Sequence, residues 1–143
     1  MHTTRVEDCQ PVFQWTPDYA IGEPIVDDEH KRLFALVEKL HQAMLAGNGK
    51  EKLERLLAEL VDYTCYHFAH EEELMYRTRY PAFRNHCIEH ENLRSRLHAI
   101  QERVLRGEVT ITIETMLFLA EWLKRHTTTS DMKIARFLDR QAQ

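Results

Sequence analysis

Two close-set pairs of side chains in this sequence have the types and spacing to hold a metal. His67 and Glu71 lie in HFAHEEELM, and His86 and His90 lie in YPAFRNHCIEH. The members of each pair are four residues apart, so on a helix they stack on one face. Imidazoles and a carboxylate on an otherwise apolar face are costly unless something binds them. Upstream, His30 opens an amphipathic stretch; downstream, His126 and Asp131 close one. The donors are nitrogen and oxygen with no thiolate, a mixture that favours iron or manganese over copper.

The elements that must position these groups read as four helices. Residues 1 to 24 contain Pro11, Pro17, Gly22 and Pro24 and suggest an extended arm, anchored by Phe13 or Trp15. Asp27 or Asp28 is the expected cap of a first helix, whose inward stripe is His30, Leu33, Phe34, Val37, Leu40, His41 and Met44. Gly47-Asn48-Gly49 ends it. A second helix is expected from Lys50 to about Tyr76, and the Arg77–Pro81 stretch breaks it. A third runs from about Ala82 to Arg106, and a fourth from about Thr110 to His126. TTTSD then reads as a short loop, followed by a tail with the apolar stripe Met132, Ile134, Ala135 and Leu138. Short connections between amphipathic helices specify an all-α, antiparallel up-down-up-down four-helix bundle. The chain is expected to be one domain over 1–143: an arm to about 26, a bundle over about 27–127, and a C-terminal loop and short helical tail over 128–143.

Composition narrows the classes. At 143 residues the chain suits one hydrophobic core. Its net charge of -4 does not favour nucleic acid or an anionic membrane. No apolar run could span a bilayer, and the N-terminus lacks the apolar stretch of a signal peptide, so a cytoplasmic location is expected. Cys9, Cys65 and Cys87 form neither a CxxC pair nor a disulfide framework.

In an antiparallel bundle the start of the first helix lies level with the end of the second. The start of the third and the end of the fourth fall at the same depth. His30, His67, Glu71, His86, His90, His126 and Asp131 therefore converge at one end of the core. Seven donors exceed one tetrahedral zinc site. Five imidazoles and two carboxylates suit two octahedral transition ions with the carboxylates bridging. The nitrogens then divide three and two, which leaves one open coordination position. The histidine-rich set differs from the Glu-x-x-His pattern of ferritin-like bundles. With fewer carboxylates donating charge, reversible chemistry is favoured over a strongly oxidising intermediate.

The segments DDEHKRLF, HFAHEEELM, YPAFRNHCIEH and WLKRHTTTSD, with the upstream Trp15, together resemble the hemerythrin family in its bacterial single-domain form. The likeness covers nearly the whole chain. It implies a non-haem diiron centre, two iron ions with an oxo or hydroxo bridge, that binds O2 reversibly. The resemblance implies that His86, His90 and His126 hold the six-coordinate iron and that His30 and His67 hold the five-coordinate iron. Glu71 and Asp131 would bridge them, and O2 would enter at the His30–His67 iron. Walls for such a gas pocket are expected from Leu33, Phe34, Leu74, Leu119, Trp122 and Leu123.

The implied function is oxygen storage, delivery or buffering, with an oxygen-consuming enzyme as a partner for delivery. The alternatives are sensing of O2 or nitric oxide at the same site and, ranked lower, a diiron oxidase, peroxidase or nitric oxide reductase. A carrier rather than an enzyme is expected. Of the remaining polar residues, His41 reads as a core or boundary histidine, and His70 as pointing to solvent or an adjacent helix. His2 and His98 read as surface residues. Glu72 and Glu73 read as helix-surface charges, either of which could hydrogen-bond a ligand imidazole.

Overall fold

The computed structural model describes residues 14–107 and 113–142. His2, Cys9, Phe13 and the expected start of the fourth helix at Thr110 lie outside them. Helix α1 spans Pro24–Leu45, α2 Lys50–Arg77, α3 Phe83–Leu105 and α4 Ile113–Arg125. A π-helical turn, His126–Asp131, joins α4 to α5, Met132–Ala142. Helix α1 packs against α2 and α4, and α2 against α3. The architecture is the antiparallel bundle that the spacing predicts.

The first helix starts earlier than expected. Proline at its first position needs no donor there and is already set to a helical φ, so Pro24 opens the helix rather than breaking it. Asp27, the expected cap, instead accepts the backbone N–H groups of Ile21 (2.8 Å) and Gly22 (3.2 Å). It thereby fixes the incoming strap, in which Gly22 takes φ +87°. A 3-10 turn at Pro17–Tyr19 precedes it, and Tyr19 packs on Phe34 with ring centroids 4.9 Å apart. Trp15 rests against the core under the ammonium of Lys31, 4.7 Å from the ring centroid.

The main core is built from Leu33, Phe34, Val37 and Leu40 of α1, with Leu57, Leu60 and Phe68 of α2. Leu93 and Leu97 of α3 and Met116, Leu119 and Leu123 of α4 complete it. The spacing of these residues is the helical three-and-four pattern. Helix α5 lays Ile134 and Phe137 on Met75 and Tyr80, which closes the end of the bundle. No helix among the described residues is long and apolar enough to cross a membrane.

The expected TTTSD loop is instead helical. Residues five apart in an α-helix lie about 140° apart around the axis. The wider π-turn, with i→i+5 bonding, brings such residues back into line. His126 and Asp131 therefore face the same interior point from one continuous helical rod.

Candidate metal centre

All seven predicted ligands come together, from three helices (α1, α2 and α3) and the π-turn, and all are buried. They form two sets that share both carboxylates: His86, His90 and His126 with Glu71 and Asp131, and His30 and His67 with the same two acids. The division between the oxygens is clear. Glu71 Oε1 lies 3.0 Å from His86 Nε2 and 2.9 Å from His90 Nε2, while Oε2 lies 3.0 Å from His67 Nε2 and 3.4 Å from His30 Nε2. Asp131 Oδ1 is 3.1 Å from both His86 Nε2 and His126 Nε2, and Oδ2 is 3.0 Å from His30 Nε2. Each carboxylate thus turns one oxygen to each set.

Three of the imidazoles are oriented from behind. His67 Nδ1 faces Glu29 at 2.7 Å, His90 Nδ1 faces Glu72 at 2.9 Å, and His126 Nδ1 faces Glu89 at 3.0 Å. Ser130 donates to the same Glu89 oxygen at 2.6 Å. An Nδ1–H given to a carboxylate leaves Nε2 as a bare lone pair, the tautomer a metal needs. Aromatic faces confine two of these rings. Phe68 stacks on His90 at 3.7 Å and 4°, and Trp122 on His126 at 4.4 Å and 14°.

These donors fit iron. Glu71 Oε2, both Asp131 carboxylate oxygens and both nitrogens of His30 are buried without a hydrogen bond. Some of them nonetheless stand about 3 Å from a neighbouring donor. Such unsatisfied groups are costly in a protein interior. Nitrogen and oxygen atoms about 3 Å apart also match the edge of an octahedron with bonds of about 2.1 Å. Two clustered sets of imidazole and carboxylate with no sulfur suit a pair of iron ions.

Electrostatics in the metal-free chain point the same way. Burial disfavours charge on His30 and His86. The adjoining Asp131 and Glu71 more than reverse this, raising His30 to about 10 and His86 to about 9. His67 and His126 are also raised against their burial, by Glu71 and Asp131 respectively. Burial likewise opposes ionisation of Glu71 and Asp131, yet the surrounding imidazoles hold both carboxyls below their ordinary range. Without metal, the two carboxylates thus favour protonation of His30, His67, His86 and His126.

An apolar cavity of about 20 Å³ lies in the core, and two of its lining residues, Phe68 and Trp122, are the rings stacked on His90 and His126. Leu33, Phe68, Leu119, Trp122 and Leu123 contribute to its lining, together with Thr64. The Thr64 hydroxyl donates to the Leu60 carbonyl at 2.7 Å, so it is not turned to the cavity as a donor. Of the expected walls, Leu33, Leu119, Trp122 and Leu123 line this space. Phe34 is buried in the same core, and Leu74 packs elsewhere, against the cluster of Ile21, Val26 and Ala135.

Sequence reasoning did not select Glu29, Glu89 or Phe68. Glu29 carries a readable signal: an acid on the buried stripe of α1, between Val26 and Leu33. Phe68 lies four residues after Thr64 on the inward face. Glu89 is half-exposed and its sequence position gives no signal. His41 is buried in α1 but lies outside both ligand sets, and eleven residues of helix place it about 16 Å along the axis from His30.

Comparison with known proteins agrees with this geometry. Residues 22–138 match the family model described as the hemerythrin HHE cation binding domain. The chain is 32% identical over 116 residues to a bacteriohemerythrin of Methylococcus capsulatus, covering 80% of this chain and 88% of that one. It is 34% identical over 117 residues to a bacteriohemerythrin of Pseudomonas aeruginosa, covering 82% and 75%. It superimposes on the crystal structure of a wild-type hemerythrin with a TM-score of 0.84 at 29% identity, covering 87% of this chain and 96% of that one. The family match over residues 22–138 and these relatives, together with two donor sets that share both carboxylates on this bundle, place the chain in the hemerythrin family.

Proposed function

We propose that the protein binds O2 reversibly at a diiron centre, as a carrier rather than a catalyst. In this reading His86, His90 and His126 hold one iron, His30 and His67 hold the other, and Glu71 and Asp131 bridge the two. When bound, the ferrous pair supplies two electrons to O2 and takes them back on release. The observation that carries the proposal is the division of the donors: both sets share both carboxylates, but three imidazoles fall to one and two to the other, so the His30–His67 set is one nitrogen short.

The protein's own contribution is to orient and to exclude. Glu29, Glu72 and Glu89 hold three imidazoles in the ligand tautomer. Phe68 and Trp122 prevent two of the rings from turning. The cavity lined by Phe68 and Trp122 has apolar walls and, among the described residues, no acid group in its lining, so none of those residues would protonate reduced oxygen and drive turnover. That disfavours an oxidase or peroxidase. Nitric oxide, another small diatomic, fits the same space.

We place the chain in the cytoplasm as one domain over 1–143, storing oxygen or handing it to an oxygen-consuming enzyme. The test is spectroscopic. The iron-loaded protein is reduced without air, exposed to O2 and then purged. A visible band that comes and goes with the gas supports a carrier. Prompt irreversible oxidation, or release of a product with turnover, refutes it.

A further inference from the structure

Glu29 differs from the other two carboxylates behind the centre. Glu72 is shared by His90 and Arg94, and Glu89 by His126 and Ser130. Glu29 is instead shared by two imidazoles: His67 Nδ1 at 2.7 Å from Oε1, and His70 Nδ1 at 2.5 Å from Oε2. His67 is buried and turned to the centre. The His70 side chain is 41% exposed, and that of Glu29 is 8% exposed. His70 is held in place by Tyr66, whose ring centroid lies 4.3 Å from its own. The pair lines a surface cleft of about 210 Å³ with Glu23, Glu73 and Arg77.

We propose that His70 is a positioning residue for the O2-binding iron: its Nδ1–H donates to Glu29 and so limits how strongly that carboxylate draws on the N–H of His67. The inference rests on the reading of His67 as a ligand of that iron. A carboxylate that accepts a second N–H is a weaker acceptor for the first. The less Glu29 pulls on the His67 proton, the less imidazolate character His67 has, and the less electron density it gives the metal. The ferrous state is then favoured, which is the state that can take up O2. Tyr66 keeps His70 in register, and the exposed edge of His70 places the device within reach of solvent.

The test compares His70→Phe with His70→Gln. Phenylalanine keeps a ring against Tyr66 but has no donor, whereas glutamine keeps an N–H. His70→Leu, also without a donor, is prepared in parallel. Three quantities are measured: metal content, the midpoint potential of the iron centre, and the exchangeable His67 N–H resonance in cobalt-substituted protein. In a donorless variant that holds two metals, the potential should fall and the His67 N–H should move downfield. Autoxidation in air should quicken by about three- to tenfold, less than the 10- to 100-fold typical of losing an outer-shell partner itself. His70→Gln should stay near wild type. If the donorless variants and His70→Gln move together, or none moves while metal content holds, the inference is overturned. It is overturned equally if both donorless variants fail to load while His70→Gln loads normally, because His70 would then serve assembly. A wild-type protein that does not hold two metals would count against the site reading instead.

Discussion

The Nε2 atoms of His90 and His126 lie 3.1 Å apart in the core, while the Nδ1 atom of each ring faces a carboxylate. With both Nδ1–H groups donated outward, two lone pairs meet across that gap. The contact is repulsive unless a cation or a proton lies between them. Glu72 and Glu89 therefore set up metal binding from outside the ligand sphere. Replacing either by glutamine keeps the shape but weakens the acceptor, and iron affinity should fall about 10- to 100-fold. Competition with a chelator of known affinity measures this. Wild-type affinity in both variants would show that the carboxylates are incidental.

Glu71 and Asp131 each serve both ligand sets, so their loss should cost more than loss of one imidazole. Glu71→Ala and Asp131→Ala are expected to lower bound iron from two per chain toward one or none and to abolish the O2-dependent band. His41→Gln, in the same helix as His30 but outside both sets, should retain both irons. Iron analysis of the purified variants decides the matter. Equal loss in the His41 variant would contradict the assignment.

The metal-free protein should have a distinctive pH profile. His30 and His86 are raised from 6.5 to about 10 and about 9. Their stabilisation is full below pH 6.5 and is lost as pH rises through those values. Glu89, with the His126 hydrogen bond as its main cause, is lowered from 4.5 to about 2. Its contribution is present above pH 4.5 and is lost as pH falls toward 2. After chelation, the unfolding temperature should peak between about pH 4.5 and 6.5 and decline toward pH 10. The iron-loaded protein should instead lose metal on acidification, because protons compete for the same nitrogens. Thermal melts of both forms across this range are the check. A metal-free melting temperature that rises from pH 7 to 10 would refute the linkage.

Phe68 is 1% exposed and joins the core to the centre through its stack on His90. Phe68→Ala should destabilise the metal-free protein by about 3–5 kcal/mol, through lost burial and the cavity left behind. Phe68→Leu should cost less, because it refills most of the space. Urea unfolding of the two variants and the wild type measures the difference. A cost under about 1 kcal/mol for the alanine variant would mean that the site collapses freely around it.

The sequence by itself determined the bundle and which seven side chains meet at one end of its core. The three-and-four spacing of Leu33, Phe34, Val37 and Leu40, and of its counterparts in the other helices, can be satisfied only by one buried face per helix. Four such helices with short turns leave few ways to pack. His67–Glu71 and His86–His90 were legible because four-residue spacing stacks side chains whatever the tertiary context.

Tertiary structure decided the rest. The sequence suggested a short loop at TTTSD, residues 127–131. Docking of α5 through Ile134 and Phe137 draws the segment into a π-turn and aligns Asp131 with His126. Asp27 looked like a cap, but Pro24 could open the helix and left that carboxylate to the incoming strap. Glu29 shows its buried stripe in one dimension but not its partner, and Glu72, Glu89 and His70 give no sign of theirs. Their roles depend on which ring of another helix, 18 to 41 residues away in sequence, comes within hydrogen-bond reach. Periodicity fixes which face of a helix turns inward, and only packing fixes which side chains meet there.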